Sequence, residues 1–279
     1  MDAEVNRRAR LERDLREAIR DGQVEVHYQP IVHLSSRRLV GFEALARWTH
    51  AELGPIAPEV FVGIAEDGGF VTELSDRLFA IACRDAATWP AGMTLSFNLA
   101  RADLRDRKLA ARMMPVLRAA GLAPSQVEVE INENTLVEEI EAAKPVLAEL
   151  HAAGIRIALD DFGTGNSSLL HIREELFDRI KIDRSFIASM RVSRGDAAVV
   201  RAILGLSHAL GLLVTAEGIE DPSLVDVLVA EGCQDGQGFS FSAAVTAAEA
   251  TAMASAEADS RPLFPAPAPE PSPAAQSGD

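Results

Sequence analysis

The sequence has little cysteine and little positive charge, and it lacks any long apolar run. Two cysteines among 279 residues, Cys83 and Cys233, are too few for a disulfide framework and lack metal-ligand spacing. A reducing cytoplasm is therefore the expected compartment, with both thiols buried or half-buried. The six histidines, at positions 27, 33, 50, 151, 171 and 208, share no common spacing, which disfavours zinc. No apolar stretch reaches membrane-spanning length, and no basic N-terminal region leads into one, so no membrane segment is expected. Lys and Arg number 27 against 42 Asp and Glu, a net charge of −15. That balance argues against a nucleic-acid polymer held through broad phosphate contacts, yet leaves room for a small phosphate ester at a metal site. No G-x-G-x-x-G turn follows the first parallel strand, and no internal repeat is visible.

What remains is a soluble composition, 48% hydrophobic and 25% charged, on a chain long enough to bury a large core. Residues 6–20 place Leu11, Leu15 and Ile19 at helical spacing before Asp21-Gly22, predicting an N-terminal helix over 1–21. Residues 24–32 alternate as a strand, and 39–48 form a second across a charged turn, an antiparallel hairpin. A Gly/Pro loop at 53–58 and helices near 59–66 and 70–87 follow. Strands are then predicted at 94–99, 127–131, 155–160, 179–183 and 212–216, separated by helices near 101–120, 135–152, 168–177, 195–210 and 221–231. Regular alternation of β and α implies a parallel sheet, and polar residues gathered at successive strand ends favour a (β/α) barrel over an open sheet. Residues 236–241 read as a closing strand, which ends a barrel domain over 22–245. Residues 246–279 form an Ala/Pro-rich tail, with a weak helix at 247–258 and expected disorder over 261–279.

The segment 155–168 is the chemical centre: an apolar strand ending in Asp160-Asp161 and a glycine loop. Adjacent carboxylates repel, and a divalent cation bridging both is a compact remedy. A lone DDxGxG is more often a solvated turn with an acidic cap. The other strands decide between these readings. On a period of two, the shared faces carry Ser96 and Asn98, Glu128 and Glu130, Lys181 and Asp183, and Thr215 and Glu217; Glu43 joins from the hairpin. Singly each is ordinary, but a barrel interior otherwise selects Val, Ile and Ala, so five strands ending in polar groups point to one mouth. Glu43, Asn98, Glu130, Asp160, Asp161 and Glu217 make an all-oxygen set suited to Mg²⁺ or Mn²⁺, with Lys181 the one cation able to orient a water or oxyanion. A shared aspartate suggests two metals about 3.5–4 Å apart, as in phosphodiester cleavage.

These residues carry a resemblance. HYQPIV at 27–32, GFEALARW at 41–48, SFNLA at 96–100, EVEINE at 128–133, IALDDFGTGNSSL at 157–169, KIDRSF at 181–186, AEGIE at 216–220 and GCQDGQGF at 232–239 are similar to the ordered motifs of the EAL domain family. The resemblance implies a modified TIM-like (β/α)8 barrel with one antiparallel strand. It also implies metal-dependent hydrolysis of cyclic di-GMP to linear pGpG. Carried over position by position, Glu43, Asn98, Glu130 and Asp160 hold one metal, and Asp160, Asp161 and Glu217 surround the second. Lys181, Glu217 and Glu133 match catalytic positions, Lys181 holding the hydrolytic water and Glu133 anchoring the glycine loop. Gln29, Glu43, Leu45, Arg47, Asp161 and Gln237 match substrate-binding positions. A homodimer is a further implication. The sequence departs from the family pattern at Asn132, usually Thr, at Asn166, usually Tyr, and over Ser240–Val245, where Arg-Pro is usual. Two other readings stand beside hydrolysis: an inactive module that binds the dinucleotide or a protein, and an unrelated barrel using Lys181 as a base in carbanion chemistry.

Overall fold

The computed structural model describes residues 2–164, 176–258 and 263–264. Gly165, Asn166, Ser167, Ser168, His171 and most of the helix expected over 168–177 lie outside the described residues, as do 265–279. Nine strands are described: β1 (Val24–His33), β2 (Arg38–His50), β3 (Gly54–Ile56), β4 (Thr94–Asn98), β5 (Val127–Asn132), β6 (Arg156–Phe162), β7 (Arg179–Ile182), β8 (Leu213–Ala216) and β9 (Asp235–Gly236). They run in the order β1-β9-β8-β7-β6-β5-β4-β2-β3, and β1 also pairs with β2, which closes eight of them into a barrel and leaves β3 outside. β1 is antiparallel to both neighbours, β2 and β9. The remaining barrel pairings are parallel. The fold is therefore the modified TIM-like barrel with one antiparallel strand. Closure matters physically because it leaves no barrel strand with an unpaired edge.

The helices are α1 (Asp2–Asp21), α2 (Pro58–Asp67), α3 (Val71–Ala86), α4 (Leu109–Ala120), α5 (Glu133–Ala152), α6 (Arg184–Ser189), α7 (Arg194–Leu210), α8 (Ser223–Ala230) and α9 (Ala247–Ala258). In α1 the 3.6-residue period buries Leu11, Leu15 and Ile19, and the helix packs on α2. The Ala-rich α9 is held by more than its small residues. Ala250 and Ala254 are buried, and the buried Glu257 accepts from the Leu39 amide at 3.1 Å and pairs with Arg38 at 2.7 Å. It thereby satisfies the amide of the second residue of the long hairpin strand.

Four local expectations change. The loop expected over 53–58 contains β3, paired antiparallel to the end of β2. The helix expected over 101–120 is a 3₁₀ turn at Asp103–Arg105 followed by α4, with Asp103 accepting the Ala100 amide at 3.1 Å. α6 was not expected; Asp183, read as the end of a strand, instead caps it, accepting from the Ser185 amide at 3.0 Å. The closing strand is only Asp235–Gly236. Beyond it the Phe241 and Ser242 amides bond to the Gly238 carbonyl at 3.0 and 3.1 Å, a turn that takes the place of a ladder.

Candidate active site

Inward side chains fill the barrel in two polar layers. In the lower one, Arg179 of β7 bonds Glu128 of β5 at 3.0 Å, Asp235 of β9 at 2.6 Å and Thr215 of β8 at 2.8 Å. All four residues are buried. Burial opposes the charge on Arg179, but Glu128 and Asp235 more than compensate, so its basicity rises.

One pleat higher, each of these strands or the turn beyond it delivers the mouth residue: Lys181, Glu130, Gln237 and Glu217. Lys181 Nζ lies 2.7 Å from Glu217 Oε1, 2.8 Å from Glu130 Oε2, 3.3 Å from Glu43 Oε2 and 3.4 Å from Asp160 Oδ1. Gln237 Nε2 donates to Glu43 at 2.7 Å and to Glu217 at 3.2 Å, while Asn98 Nδ2 donates to the other Glu43 oxygen at 2.9 Å.

Adjacent residues on a regular strand point to opposite faces, yet Asp160 and Asp161 both reach the mouth. The pairing of β6 with β7 breaks register between Leu159 and Phe162, and Asp161 takes φ +55°. That bulge with a left-handed residue turns the second acid inward. Asp161 is further held by Asn132, whose Nδ2 donates to it at 2.5 Å while its Oδ1 caps α5, accepting from the Asn134 amide at 2.9 Å. Glu133, the first residue of α5 and buried, accepts the Gly163 amide at 2.8 Å just after the bulge.

The electrostatics are lopsided: one ammonium faces four carboxylates, with Asp161 beside them. Burial, against the pull of Lys181 and aided by Asp160, pushes Glu217 up to about 8. Burial and then Asp160 raise Asp161 to about 6. Burial and Glu43 drive Glu130 well above the usual range. Glu43 alone moves the other way: burial raises it, but Lys181, Gln237 and Asn98 outweigh that. Burial works against the Lys181 charge too, yet Asp160, Glu130 and Glu217 hold its pKa well above that of a free lysine. With four carboxylates within 3.4 Å, Lys181 is placed as a cation, which suits orienting a water better than abstracting a proton.

The site asks for cations. Oxygens of Asp160, Asp161 and Glu217 lie within 4.8 Å of one another. Glu130 Oε1 is buried with no hydrogen-bond partner among the described residues, an arrangement costly enough that native proteins rarely leave it unanswered. All the donors are oxygen, which fits a hard divalent ion such as Mg²⁺ or Mn²⁺.

A family model for the EAL domain matches residues 12–244. The chain belongs to the EAL domain family. It is 37% identical over 235 residues to the cyclic di-GMP phosphodiesterase NbdA of Pseudomonas aeruginosa, covering 83% of this chain and 30% of that protein. It is 34% identical over 236 residues to the probable cyclic di-GMP phosphodiesterase PdeN of Escherichia coli, covering 83% of this chain and 45% of that one. The chain thus spans less than half the length of either relative. Among solved structures, the PaMucR phosphodiesterase in complex with c-di-GMP superimposes with a TM-score of 0.82 at 34% identity, covering 86% of this chain and 99% of the other.

Within this EAL barrel the residues expected at the site separate into groups. Glu43, Glu130, Asp160, Glu217, Gln237 and Lys181 form one bonded cluster, to which Asn98 and Asp161 attach. Gln29 and Leu45 line the mouth cavity, of about 580 Å³, together with Glu43, Asp160, Asp161, Glu217 and Gln237. Glu133 stands behind the mouth, under Gly163. Arg47 is outside the cavity lining; it is half-buried, and its Nη1 donates to the Ala46 carbonyl at 2.9 Å. Sequence reasoning passed over Arg179 and Asp235, although each lies two residues before a mouth residue on the same face. It also passed over Arg184 and Phe239, which line the mouth together with Asp183.

Proposed function

We propose that this EAL barrel hydrolyses cyclic di-GMP to linear pGpG with Mg²⁺ or Mn²⁺ bound at its mouth. The observation that supports it most is the excess of inward carboxylates around Lys181, with three acids from β6 and the end of β8 sharing a space of metal-site dimensions. The phosphodiesterase relatives support the substrate. Bound cations would neutralise the phosphodiester and acidify a water.

The protein groups then have distinct tasks. Glu43, Asn98, Glu130 and Asp160 would hold one ion, and Asp160, Asp161 and Glu217 would hold the other. Lys181, fixed between Glu130 and Glu217, orients the attacking water. That water's oxygen bonds to phosphorus while one ring P–O bond breaks, and the proton the water gives up ends on the leaving oxygen, so one water is added across the bond. Gln237 fixes the Glu43 and Glu217 carboxylates by donating to both, and Glu133 fixes the turn after Asp161. Gln29, Leu45 and Arg47 serve the dinucleotide side, and a homodimer belongs to the same reading. Incubating the protein with cyclic di-GMP and Mn²⁺, then separating the products by chromatography, tests the reaction. Linear pGpG is expected; binding with the ring left intact would make the domain a receptor instead.

A further inference from the structure

Outside the mouth lies a buried carboxylate that metal-assisted hydrolysis does not use. Glu139 of α5 is 6% exposed, and two arginines meet it: Arg101, just before the 3₁₀ turn at Asp103–Arg105, and Arg105 at its end. Arg101 Nε donates to Glu139 Oε1 at 2.7 Å, and Arg105 Nε donates to Oε2 at 2.6 Å. Arg105 Nη2 reaches Oε1 as well, so both oxygens are taken. Partly exposed ion pairs contribute little stability by themselves. What this one joins matters more.

The two arginines belong to the segment that follows Asn98. β4 pairs with β2 only as far as Ala44 and Phe97, and with β5 as far as Asn98 and Glu130. Asn98 therefore stands on the last rung of the ladder, with no partner on its β2 side. Past Leu99 the backbone turns on itself, the Asp103 amide bonding to the Ala100 carbonyl at 3.0 Å and the Arg105 amide to the Ala102 carbonyl at 3.2 Å. Buried Leu104 fixes the depth of this turn in the core, and Glu139 fastens it to α5. The start of that same helix serves another part of the mouth. Its cap, Asn132, holds Asp161, and its first residue, Glu133, holds the Gly163 amide. Glu139 lies within two turns of Glu133. α5 thus supports both Asn98 and Asp161, which the proposed function assigns to different ions.

We propose that Glu139 is a positioning residue that sets the separation of the two bound cations, by clamping the turn beyond Asn98 to the helix that holds Asp161. The inference rests on the proposed function, which supplies the two ions. Two-metal cleavage needs its ions about 3.5–4 Å apart, and a misplacement of about 1 Å can cost on the order of a hundredfold in rate. Arg105 grips both carboxylate oxygens, and such a planar fork fixes direction as well as distance.

The test is electron paramagnetic resonance of the full chain at saturating Mn²⁺, with calorimetry of Mn²⁺ binding and steady-state hydrolysis alongside. Ions about 3.5–4 Å apart couple magnetically, so the wild-type spectrum should carry the signal of an exchange-coupled pair. Glu139→Gln is expected to lose that signal while still binding Mn²⁺, and to lower kcat about ten- to a hundredfold with KM for cyclic di-GMP little changed. Arg105→Ala, a change at a side chain that is 60% exposed, should move the same readouts in the same direction if Glu139→Gln folds poorly. Glu138→Gln removes only the neighbouring pair with Arg101 at 2.8 Å, and it should leave every readout at its wild-type value. An unchanged coupled signal and kcat in Glu139→Gln overturn the proposal. So does an equal loss in Glu138→Gln, which would mark a general effect of charge on α5, or the loss of all Mn²⁺ binding in both Glu139→Gln and Arg105→Ala, which would mark a collapsed site. Wild-type protein with neither a coupled pair nor hydrolysis removes the functional reading and this inference together. A coupled pair and hydrolysis that Glu139→Gln leaves intact remove Glu139 alone.

Discussion

Asp160 carries the largest share of the work asked of any side chain here. It lies 3.4 Å from Lys181, accepts the Asp161 amide at 2.9 Å, and belongs to the three-carboxylate group. Asp160→Asn keeps the shape but removes the charge shared by both proposed ions. Turnover should therefore fall by at least roughly a hundredfold, the scale seen when one preorganised charge contact is lost from a transition state. Steady-state kinetics at saturating Mn²⁺ check this, and near-normal turnover would remove Asp160 from the bridging role.

The raised carboxyls make a second prediction at the same scale. A folded pKa above its unfolded value means that the folded state binds more protons, so stability falls as pH rises between the two values. For Glu217 that window runs from 4.5 to about 8, and for Asp161 from 3.8 to about 6. Metal-free protein should lose melting temperature from pH 5.5 to 8. Mn²⁺ should raise it more at pH 8, where Asp161 is deprotonated and Glu217 gives up its proton more readily than at pH 5.5. Thermal melts with EDTA and with Mn²⁺ measure the gap, and an equal shift at both pH values would contradict the account.

Among the elements, β6 and α5 show what the sequence could and could not tell. The β/α alternation and the identities of the mouth acids were legible because strand period and apolar content announce them. The bulge that brings Asp161 round was not, since a left-handed aspartate has no sequence signature beyond its neighbours' identities. Nor was the lower polar layer, because Lys181 was paired with Asp183 ahead of it rather than with Arg179 behind it. Asn132 is the instructive departure. A threonine hydroxyl can cap a helix, but it lacks the second polar arm with which this asparagine reaches Asp161. Asn132→Ala should cost about 1 kcal/mol of stability through the lost cap and lower turnover by freeing Asp161. Asn132→Thr should recover the stability but not the turnover. Denaturant melts with kinetics on the two variants decide it; full recovery of both by threonine would show that the contact to Asp161 has no catalytic weight.

At the scale of the whole molecule, the barrel is stacked around charge. Arg179 ties β5, β7, β8 and β9 together from below, and Lys181 ties β2, β5, β6 and the end of β8 from above. Arg179→Met would leave Glu128 and Asp235 buried without their shared cation, which should cost on the order of 3–5 kcal/mol. Urea unfolding reads that directly, and a loss under about 1 kcal/mol would mean that water or a neighbour replaces it. Above this layer the charge is deliberately unbalanced, and that imbalance is the central claim. The direct measurement is hydrolysis of cyclic di-GMP by EDTA-stripped protein as free Mn²⁺ is raised from zero. The account predicts no turnover without metal and a rise steeper than single-site binding, as two ions fill the mouth. Turnover that persists in chelator would contradict it.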